Sequence, residues 1–288
     1  RFRDVMDEVT PHTEPVEVGL KPPSFKAPFY TLKQSFDNKF LIRNLVRREL
    51  RGRYRNSVLG YTWTFIEPAL LAVVYYFLFY MLAGNPDELY AVWVLIGIII
   101  WGCFGKSLQS TVTSLTNNKN TIHLVYFPRI VFPMTTVIGN IVLTLMSCVV
   151  IFPIILIFDL TFTYHLILIP ISVLFAGFLA IGLGILLAPL NCIYRDIEHL
   201  IRFVVRAGFF VSPVMWTYEM ALDRGMFGEA ATFNPMLTPI TLARHGLEGK
   251  ATTLPYEVVT FSMLFGLVMW IIGSILFERL ERQAVKYL

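Results

Sequence analysis

The residues most able to do chemistry are five arginines that lie within nine positions, directly before the first long apolar run. A guanidinium binds phosphate oxygens through its charge and through paired hydrogen bonds. Arginine beside an apolar run is also typical of the cytoplasmic face of a membrane, because short basic loops are rarely translocated. The sequence therefore predicts a basic surface at the inner membrane face, formed by Arg47, Arg48, Arg51, Arg53 and Arg55.

Motifs of the common hydrolytic and metal sites are absent from the sequence. It contains no HExxH, no GxSxG and no His/Cys cluster at metal-ligand spacing. The stretch Gly102–Ser107 is similar to the end of a phosphate-binding loop, but Ile100 occupies the position of that loop's first glycine. Cys103, Cys148 and Cys192 form no CxxC pair and are predicted to be free thiols. No catalytic or metal-binding residue is predicted.

Ionisable residues are scarce within the long apolar runs. Ion-coupled carriers place Asp, Glu or His deep in several spans, whereas the centres of these runs are almost uncharged. Glu67 is predicted to pair with a nearby basic group, with a direct transport role as the alternative. Lys106 is predicted to extend to the inner interface, or otherwise to face a substrate path. Energy for active transport is therefore expected to come from outside this chain.

Aromatic residues make up 15% of the chain and are dense in the first two apolar runs. Aromatic rings stack on the C–H faces of sugars, and phenol and indole groups can also bond a hydroxyl. We interpret part of this set as the lining of a path for a polysaccharide, with interfacial belts and lipid-facing rings as the alternative. The residues assigned to the path are Trp63, Tyr75, Phe79, Trp101 and Phe104.

The composition places the chain in a membrane. It is 56% hydrophobic and 15% charged, with a mean hydropathy of +0.62, whereas soluble domains carry about 25% charged residues. A spanning helix needs about 20 apolar residues. The predicted fold is an all-α integral membrane protein with six spans, at Trp63–Ala83, Val92–Ser110, Val131–Phe158, Leu166–Leu190, Leu200–Trp216 and Val258–Phe277.

The segments outside the spans complete the predicted organisation. Residues 1–28 are polar and proline-rich, as in a flexible cytoplasmic tail, and residues 57–288 form the six-span domain. Residues 29–56 predict an amphipathic helix on the inner surface, or else a solvated charged helix. Residues 217–257 predict short helices that enter the outer leaflet as a gate, or else an amphipathic surface loop. The alternation of basic loops places both termini in the cytoplasm.

Five motifs carry a resemblance that runs from about Lys39 to the C-terminus. They are Leu59-Gly60-x-x-Trp63 with Pro68, Phe127-Pro128 with Pro133, Asn191-x-x-Tyr194-Arg195-Asp196-Ile197, Ser212-Pro213 with Trp216, and Asn234-Pro235. With these motifs the chain resembles the permease subunit of bacterial polysaccharide ABC exporters, a family that moves lipid-linked O-antigen, teichoic acid, capsule or galactan chains. The polar N-terminal tail departs from the shorter members of that family.

The resemblance implies a homodimer in the bacterial inner membrane that works with two copies of a separate ATPase. That partner would bind ATP and magnesium, and this chain would hold no cofactor. The arginines would recruit the diphosphate head of an undecaprenyl or related polyprenyl carrier. The residues expected to couple to the ATPase are Asn117, Lys119, His123, Tyr194, Arg195, Asp196 and Ile197. A local salt-bridged loop is the alternative for the Tyr-Arg-Asp-Ile stretch. The expected outer gate comprises Trp216, Tyr218, Asn234 and Pro235.

The sequence therefore predicts a transport subunit that exports a lipid-linked polysaccharide and does not itself hydrolyse ATP. A multidrug or small-lipid permease of the same architecture is the first alternative, and the density of aromatic residues argues mildly against it. A membrane-embedded glycosyltransferase is less favoured, because no acidic pair stands with convergent His or Asp partners. A channel is the weakest alternative, because no charged filter ring is evident.

Overall fold

The computed structural model of the chain describes residues 25–53, 57–83, 89–124, 128–223 and 225–288. Every regular element in these ranges is a helix, which confirms the predicted all-α fold. The α-helices are α1 Ala27–Asp37, α2 Lys39–Arg53, α3 Trp63–Ala83, α4 Tyr90–Val112, α5 Ser114–Asn117, α6 Lys119–Leu124, α7 Val131–Ser147, α8 Ile151–Ile157, α9 Leu168–Ile193, α10 Asp196–Val211, α11 Tyr218–Leu222, α12 Met226–Thr232, α13 Leu237–Glu248 and α14 Tyr256–Lys286. Short 3-10 helices lie at Gly60–Thr62, Cys148–Val150 and Tyr164–Ile167.

The centre of the bundle is formed by α4 and α9. α4 is apolar around its circumference and almost entirely buried, as expected of a helix enclosed by other helices. α9 packs against α4, α7, α13 and α14. A Cβ at Gly182 would lie 3.0 Å from the Trp270 nitrogen, and one at Gly273 would lie 2.7 Å from the Gly182 oxygen. These glycines let α9 and α14 approach closely, which favours helix association in a membrane.

Four helical stretches of the described residues are long and apolar enough to cross a bilayer, namely Tyr90–Val112, Val131–Ile157, Tyr164–Ile193 and Tyr256–Lys286. They correspond to the second, third, fourth and sixth predicted spans. The first predicted span is α3, which has 21 residues and the predicted bounds. The fifth corresponds to α10, which has 16 residues. A membrane-spanning chain is confirmed, and the count of six spans stays a prediction.

The bounds of the predicted fifth span, Leu200–Trp216, are wrong. α10 begins earlier, at Asp196, and carries two acidic side chains in its first turn, where they interact favourably with the helix dipole. It ends at Val211, because Pro213 follows and lacks a backbone N–H for the next helical hydrogen bond. The remaining residues, Ser212–Trp216, form a non-helical turn.

The predicted surface helix over residues 29–56 is two helices, α1 and α2, in the part that the structure describes. They are separated at Asn38, whose side chain donates a hydrogen bond back to the backbone of α1. α1 packs on α14, where the Thr31 hydroxyl donates to the Ser274 hydroxyl over 3.3 Å. α2 packs on α7 through an apolar face that includes the buried Ile42.

The segment 217–257 contains three short helices, α11, α12 and α13, as the sequence predicts. α13 is part of the main core, since Leu237, Ile240 and Leu247 are at most 1% exposed and join the core cluster of α4 and α9. The alternative of an amphipathic surface loop is therefore wrong for α13. The gate role of the segment stays a prediction.

The bundle has two ends with different polar contacts. We call the end that carries α2, α5, α6 and the start of α10 the basic end, and the opposite end, which carries α13, the α13 end. At the basic end Arg129 pairs with Glu281 of α14 over 2.9 Å. At the α13 end the Tyr90 hydroxyl donates to the Met215 carbonyl over 3.1 Å.

Candidate functional site

Two adjoining cavities open at the basic end, between α2, α3, α4, α7 and α10. The first has a volume of about 190 Å³ and is lined mainly by apolar side chains. The second has a volume of about 380 Å³ and is lined mainly by polar ones. Arg53, Lys106 and Asn140 line both cavities and form the wall between them. We call the two cavities together the basic crevice.

Asn140 positions Arg53 in this wall. Asn140 is 3% exposed, and its Oδ1 accepts a hydrogen bond from Arg53 Nη1 over 2.9 Å. Its Nδ2 donates to the Ser110 hydroxyl over 2.8 Å. Arg53 also pairs with Glu49 over 3.1 Å. Burial raises the pKa of the Glu49 carboxyl above its usual 4.5, although the Arg53 guanidinium opposes this shift. A buried amide and a carboxylate thus hold one guanidinium at the crevice.

Two more cations of the crevice are paired with carboxylates. Lys106 Nζ lies 2.9 Å from Glu67 Oε2, and the two side chains are 57% and 53% exposed. This confirms the predicted pairing of Glu67 with a basic group. Arg202 Nη2 lies 3.4 Å from Glu198 Oε1 within the first turns of α10. Exposed pairs of this kind contribute about 0–1 kcal/mol to stability, so a ligand can exchange for either partner at little cost.

The five predicted arginines do not form one surface. Arg47, Arg48 and Arg51 line a separate cavity of about 600 Å³ on the outer side of α2. Arg47 and Arg51 share a helix face because they are four residues apart, whereas Arg53 points toward the crevice. Arg55 lies outside the described residues. Arg48 also lines a cavity of about 350 Å³ together with Arg53, so the structure separates Arg47 and Arg51 from the crevice arginine, whereas Arg48 borders cavities on both sides.

The start of α10 is fixed by a buried asparagine. Asn191 is 1% exposed, and its Nδ2 donates to the Val112 carbonyl at the end of α4 over 3.3 Å. Its Oδ1 accepts from the Glu198 backbone N–H over 3.0 Å. Asn191 thereby joins the ends of α4 and α9 to the first turn of α10, which explains physically why this motif begins with an asparagine.

The end of α10 is fixed by a buried arginine of α13. Arg244 is 5% exposed, and its guanidinium donates to three backbone carbonyls. The distances are 2.7 Å to Val214, 3.0 Å to Trp216 and 3.3 Å to Trp93 of α4. The non-helical turn after α10 is thus satisfied within the protein, as irregular backbone at membrane depth requires.

Comparison with known proteins identifies the family. The profile described as ABC-2 type transporter matches residues 41–247. The chain belongs to the ABC-2 type transporter family. It is 27% identical to the O-antigen export system permease protein RfbA of Myxococcus xanthus over 73% of this chain and 81% of that protein. It is 26% identical to the RfbA permease of Klebsiella pneumoniae over 88% of this chain and 95% of that protein. It is 23% identical to the polysialic acid transport protein KpsM of Escherichia coli over 84% of this chain and 94% of that protein.

The family match confirms the recognised resemblance and a transport role for this ABC-2 chain. It also supports a multi-pass protein of the inner membrane. The expected coupling residues lie on the surface at the basic end. Asn117, Lys119 and His123 of α5 and α6 are exposed, as are Tyr194, Arg195 and Asp196. Ile197 is partly buried against the core.

The expected coupling residues fall in two segments of the chain, and the second of them, Tyr194–His199, is not a separate short helix. Tyr194 lies in the link after α9, and α10 begins two residues later, at Asp196. The segment Tyr194–His199 is therefore continuous with α10. The two segments meet at the crevice, because Asn117 and Glu198 line the same 380 Å³ cavity. The coupling role of these residues is untested by the structure and stays a prediction.

The aromatic residues assigned to a glycan path are dispersed. Trp63 is 43% exposed at the start of α3. Trp101 and Phe104 are each 8% exposed and belong to the core, with ring centroids 5.3 Å apart. Tyr75 and Phe79 fall within α3, but their side chains lie outside the described part. Trp101 also lines the smaller cavity. The path role stays a prediction, and the observed role of Trp101 and Phe104 is packing.

The residues assigned to the gate adjoin the turn after α10. Asn234 Nδ2 donates to the Ser212 hydroxyl over 3.0 Å, and its Oδ1 accepts from the Met236 N–H over 2.9 Å. Trp216, Tyr218 and Pro235 are half-buried.

Sequence reasoning missed Arg244 and Asn140. The sequence did contain a signal for Arg244, because this basic residue lies within an apolar stretch. No comparable signal marked Asn140, because its partner Arg53 is 87 positions away.

Proposed function

We propose that this chain is the membrane permease subunit of an ATP-driven exporter that moves a lipid-linked polysaccharide across the bacterial inner membrane. The glycan would be of O-antigen, galactan, teichoic acid or capsule type. The observation that carries the proposal is the similarity to permeases named for O-antigen export and polysialic acid transport, which covers 94–95% of their lengths. The almost uncharged span centres support an external energy source.

Two copies of a separate ATP-binding subunit would supply that energy and would dock at the basic end. The support is the pair of exposed segments that border one cavity, Asn117–His123 and Tyr194–His199. Charged side chains such as Arg195 and Asp196 give orientation-specific contacts across such an interface. Because the second segment continues into α10, closure of the ATPase pair would move that helix directly.

The basic crevice would receive the diphosphate head of a polyprenyl carrier lipid. Arg53 and Lys106 offer charge-assisted hydrogen bonds to phosphate, and the exposed carboxylate partner of Lys106 is exchangeable. Arg47, Arg48 and Arg51 would attract anionic lipid heads to the adjacent surface.

Replacing Arg53 by Gln should therefore lower substrate-stimulated ATP hydrolysis more than replacing Arg47, whereas the basal hydrolysis should stay unchanged in both. Unchanged stimulation in Arg53→Gln would contradict the crevice assignment. If Arg47→Gln reduces the stimulation as much as Arg53→Gln does, the carrier-lipid head is recognised on the surface of α2.

Two copies of the chain would pair through a face formed by α3 and α10, the first and fifth of the six predicted spans. Both helices expose apolar side chains and border the smaller cavity through Leu71 and Phe209. The most exposed apolar residues on them are Leu70, Val73, Val74, Phe77, Met81, Leu200, Phe203, Phe210 and Val211. Oxidation in membranes of a chain that carries both Val73→Cys and Phe203→Cys should yield a covalent dimer, and a product that stays monomeric would count against this face.

The basic end would face the cytoplasm, as the distribution of Lys and Arg predicts. A membrane-impermeant thiol reagent added to intact cells should label Thr252→Cys, which is exposed beyond α13. The same reagent should label Lys286→Cys only after the membrane is permeabilised. The reverse labelling pattern would contradict this orientation.

The function itself is tested by copurification. The chain should purify from membranes with two ATP-binding subunits, and hydrolysis by the reconstituted complex should rise when a lipid-linked glycan is added. A drug panel in place of the glycan gives the control for a multidrug permease. A chain that purifies without an ATPase, or a complex stimulated by drugs and not by glycan, would contradict the proposal.

A further inference from the structure

The turn Ser212–Trp216 at the end of α10 has its polar backbone bound from several directions. Arg244 of α13 donates hydrogen bonds to the Val214 and Trp216 carbonyls, and the Tyr90 hydroxyl of α4 donates one to the Met215 carbonyl. The turn itself is covered, since Ser212 is 2% and Val214 0% exposed. Three successive carbonyls therefore converge on side chains of two different helices.

Close backbone packing reinforces this attachment. A Cβ at Gly97 of α4 would lie 3.0 Å from the Val214 oxygen, so no larger residue fits there without displacing the turn. The Arg244 guanidinium also donates to the Trp93 carbonyl, one helical turn before Gly97. Arg244 thus connects α13, α4 and the end of α10 through one planar group, which presents several donors in a fixed geometry.

The opposite end of α10 lies beside open space. Ile201 and Arg202 line the 380 Å³ cavity of the crevice, and Glu198 borders it from the first turn. In the single chain Leu200 and Phe203 are 58% and 67% exposed, and both belong to the face proposed above for the pairing of two copies. Side-chain exposure is similar at the two ends of α10, since Phe210 and Val211 are 60% and 66% exposed. The ends differ in their backbone contacts, because the Asn191 side chain bonds the first turn, whereas Arg244 and Tyr90 together bond three carbonyls of the turn after Val211.

The middle of α10 contacts α4 where small residues allow a close approach. A Cβ at Gly105 would lie 2.6 Å from Val205 Cγ1, and one at Gly208 would lie 3.0 Å from the Trp101 ring. Val205 of α10 thus packs onto Gly105 of α4, and Trp101 of α4 packs onto Gly208 of α10.

We propose that Arg244 is a positioning residue that makes the turn Ser212–Trp216 the fixed pivot of α10, about which the basic end of the helix tilts during the ATP cycle. This inference rests on the proposed function, since it needs an ATPase acting at the basic end. Leu200 and Val211 are about 16 Å apart along the helix. A tilt about the turn displaces Leu200 and leaves Val211 nearly in place.

The test is a distance measurement on the complete complex in lipid. Spin labels are placed at Thr252 with Leu200, or at Thr252 with Val211, in a chain whose cysteines Cys103, Cys148 and Cys192 are replaced by alanine. Labelled chain is diluted with unlabelled chain so that distances between copies do not contribute. Each pair is measured without nucleotide and after ATP hydrolysis with the product ADP trapped by vanadate.

The expected result is a shifted Thr252–Leu200 distance and an unchanged Thr252–Val211 distance. In Arg244→Lys, whose ammonium cannot reach three carbonyls at once, the Thr252–Val211 distance should shift or broaden as well. Lys250→Met removes an exposed cation at the same end and should behave as the wild type. Arg244→Lys should also raise the ATP hydrolysed per glycan moved, which a purely structural residue in a folded complex would not change.

Equal shifts of both distances in the wild type would overturn the pivot and leave the proposed function standing. An unchanged Val211 distance in a folded Arg244→Lys complex would overturn the assignment to Arg244. If ATP moves neither label, the pivot is overturned, while glycan-stimulated hydrolysis by the same complex decides the proposed function separately. The wild-type measurement needs no Arg244 variant, so a variant that does not fold leaves the test intact.

Discussion

Basic residues occupy both ends of the bundle, but their surroundings differ. At the basic end Arg53, Lys106 and Arg202 pair with carboxylates and border open cavities. At the α13 end Arg244 is 5% exposed and donates to backbone carbonyls. Cations beside open cavities can exchange their carboxylates for a phosphate or a partner subunit, whereas a buried cation holds one arrangement of the chain. The comparison assigns recognition to one end and mechanical attachment to the other.

Arg244→Met should have the largest effect on stability, because it leaves buried carbonyls without a donor. We expect a loss of about 3–5 kcal/mol in the free energy of unfolding, as for breaking a buried charged network. Thermal unfolding of the detergent-solubilised chain measures it. Lys250→Met at the same end should cost less than about 1 kcal/mol. Equal losses in the two variants would remove the distinction between buried and exposed cations.

Asn191→Leu should have an intermediate effect at the basic end. It leaves the Val112 carbonyl and the Glu198 N–H without a buried partner, at a cost of about 1–3 kcal/mol. Because the first turn of α10 is then less well positioned, stimulation of the ATPase by glycan should also fall. Thr253→Leu, at an exposed position after α13 and outside the proposed docking segments, is the control and should change neither quantity. A stable Asn191→Leu chain with normal stimulation would contradict this positioning role.

The Glu67–Lys106 pair should contribute little to stability. A double-mutant cycle with Glu67→Gln and Lys106→Met should give a coupling energy of about 0–1 kcal/mol, because both side chains are more than half exposed. The coupling should disappear at about 1 M salt. A salt-independent coupling several times larger would show that the crevice is as closed as the α13 end.

Replacing Glu49 should have the smallest effect on the free energy of unfolding, and the effect should appear only in the pH dependence of that free energy. Burial raises the pKa of its carboxyl above 4.5 in the folded chain. The folded state therefore binds this proton more tightly than the unfolded state. The resulting stability is present below pH 4.5 and is lost as pH rises through the folded pKa. Unfolding of the wild type and Glu49→Gln across this range should show the wild type losing stability relative to the variant. The opposite trend would mean that Arg53 outweighs burial.

Much of the fold follows from the sequence, because long apolar runs have few alternatives to helices in a bilayer. The bounds of α3 agree with the predicted span. The bounds of α10 do not, since hydropathy alone ignores the acidic first turn and the stop imposed by Pro213. The sequence predicted short helices in the segment that contains α13, but it did not show that α13 packs into the core formed by α4 and α9.

The candidate site depends on contacts that no local pattern encodes. Arg53 meets Asn140 across 87 positions, and Lys106 meets Glu67 across 39. The sequence predicted a basic surface from five neighbouring arginines, and helical geometry then directed Arg53 and Arg47 to different cavities. The sequence showed that basic residues are concentrated here. Which arginines face the crevice and which face the surface became visible only from the packing of α2 on α7.

The most direct test of the account follows the glycan itself. A radiolabelled lipid-linked glycan is inserted into the outer leaflet of inside-out membrane vesicles that contain the chain and its ATPase. A glycosidase added afterwards degrades the glycan that remains outside the vesicles. The account predicts that ATP increases the fraction of protected glycan, and that the increase requires both subunits. Protection that is the same without ATP, or the same in vesicles lacking this chain, would contradict it.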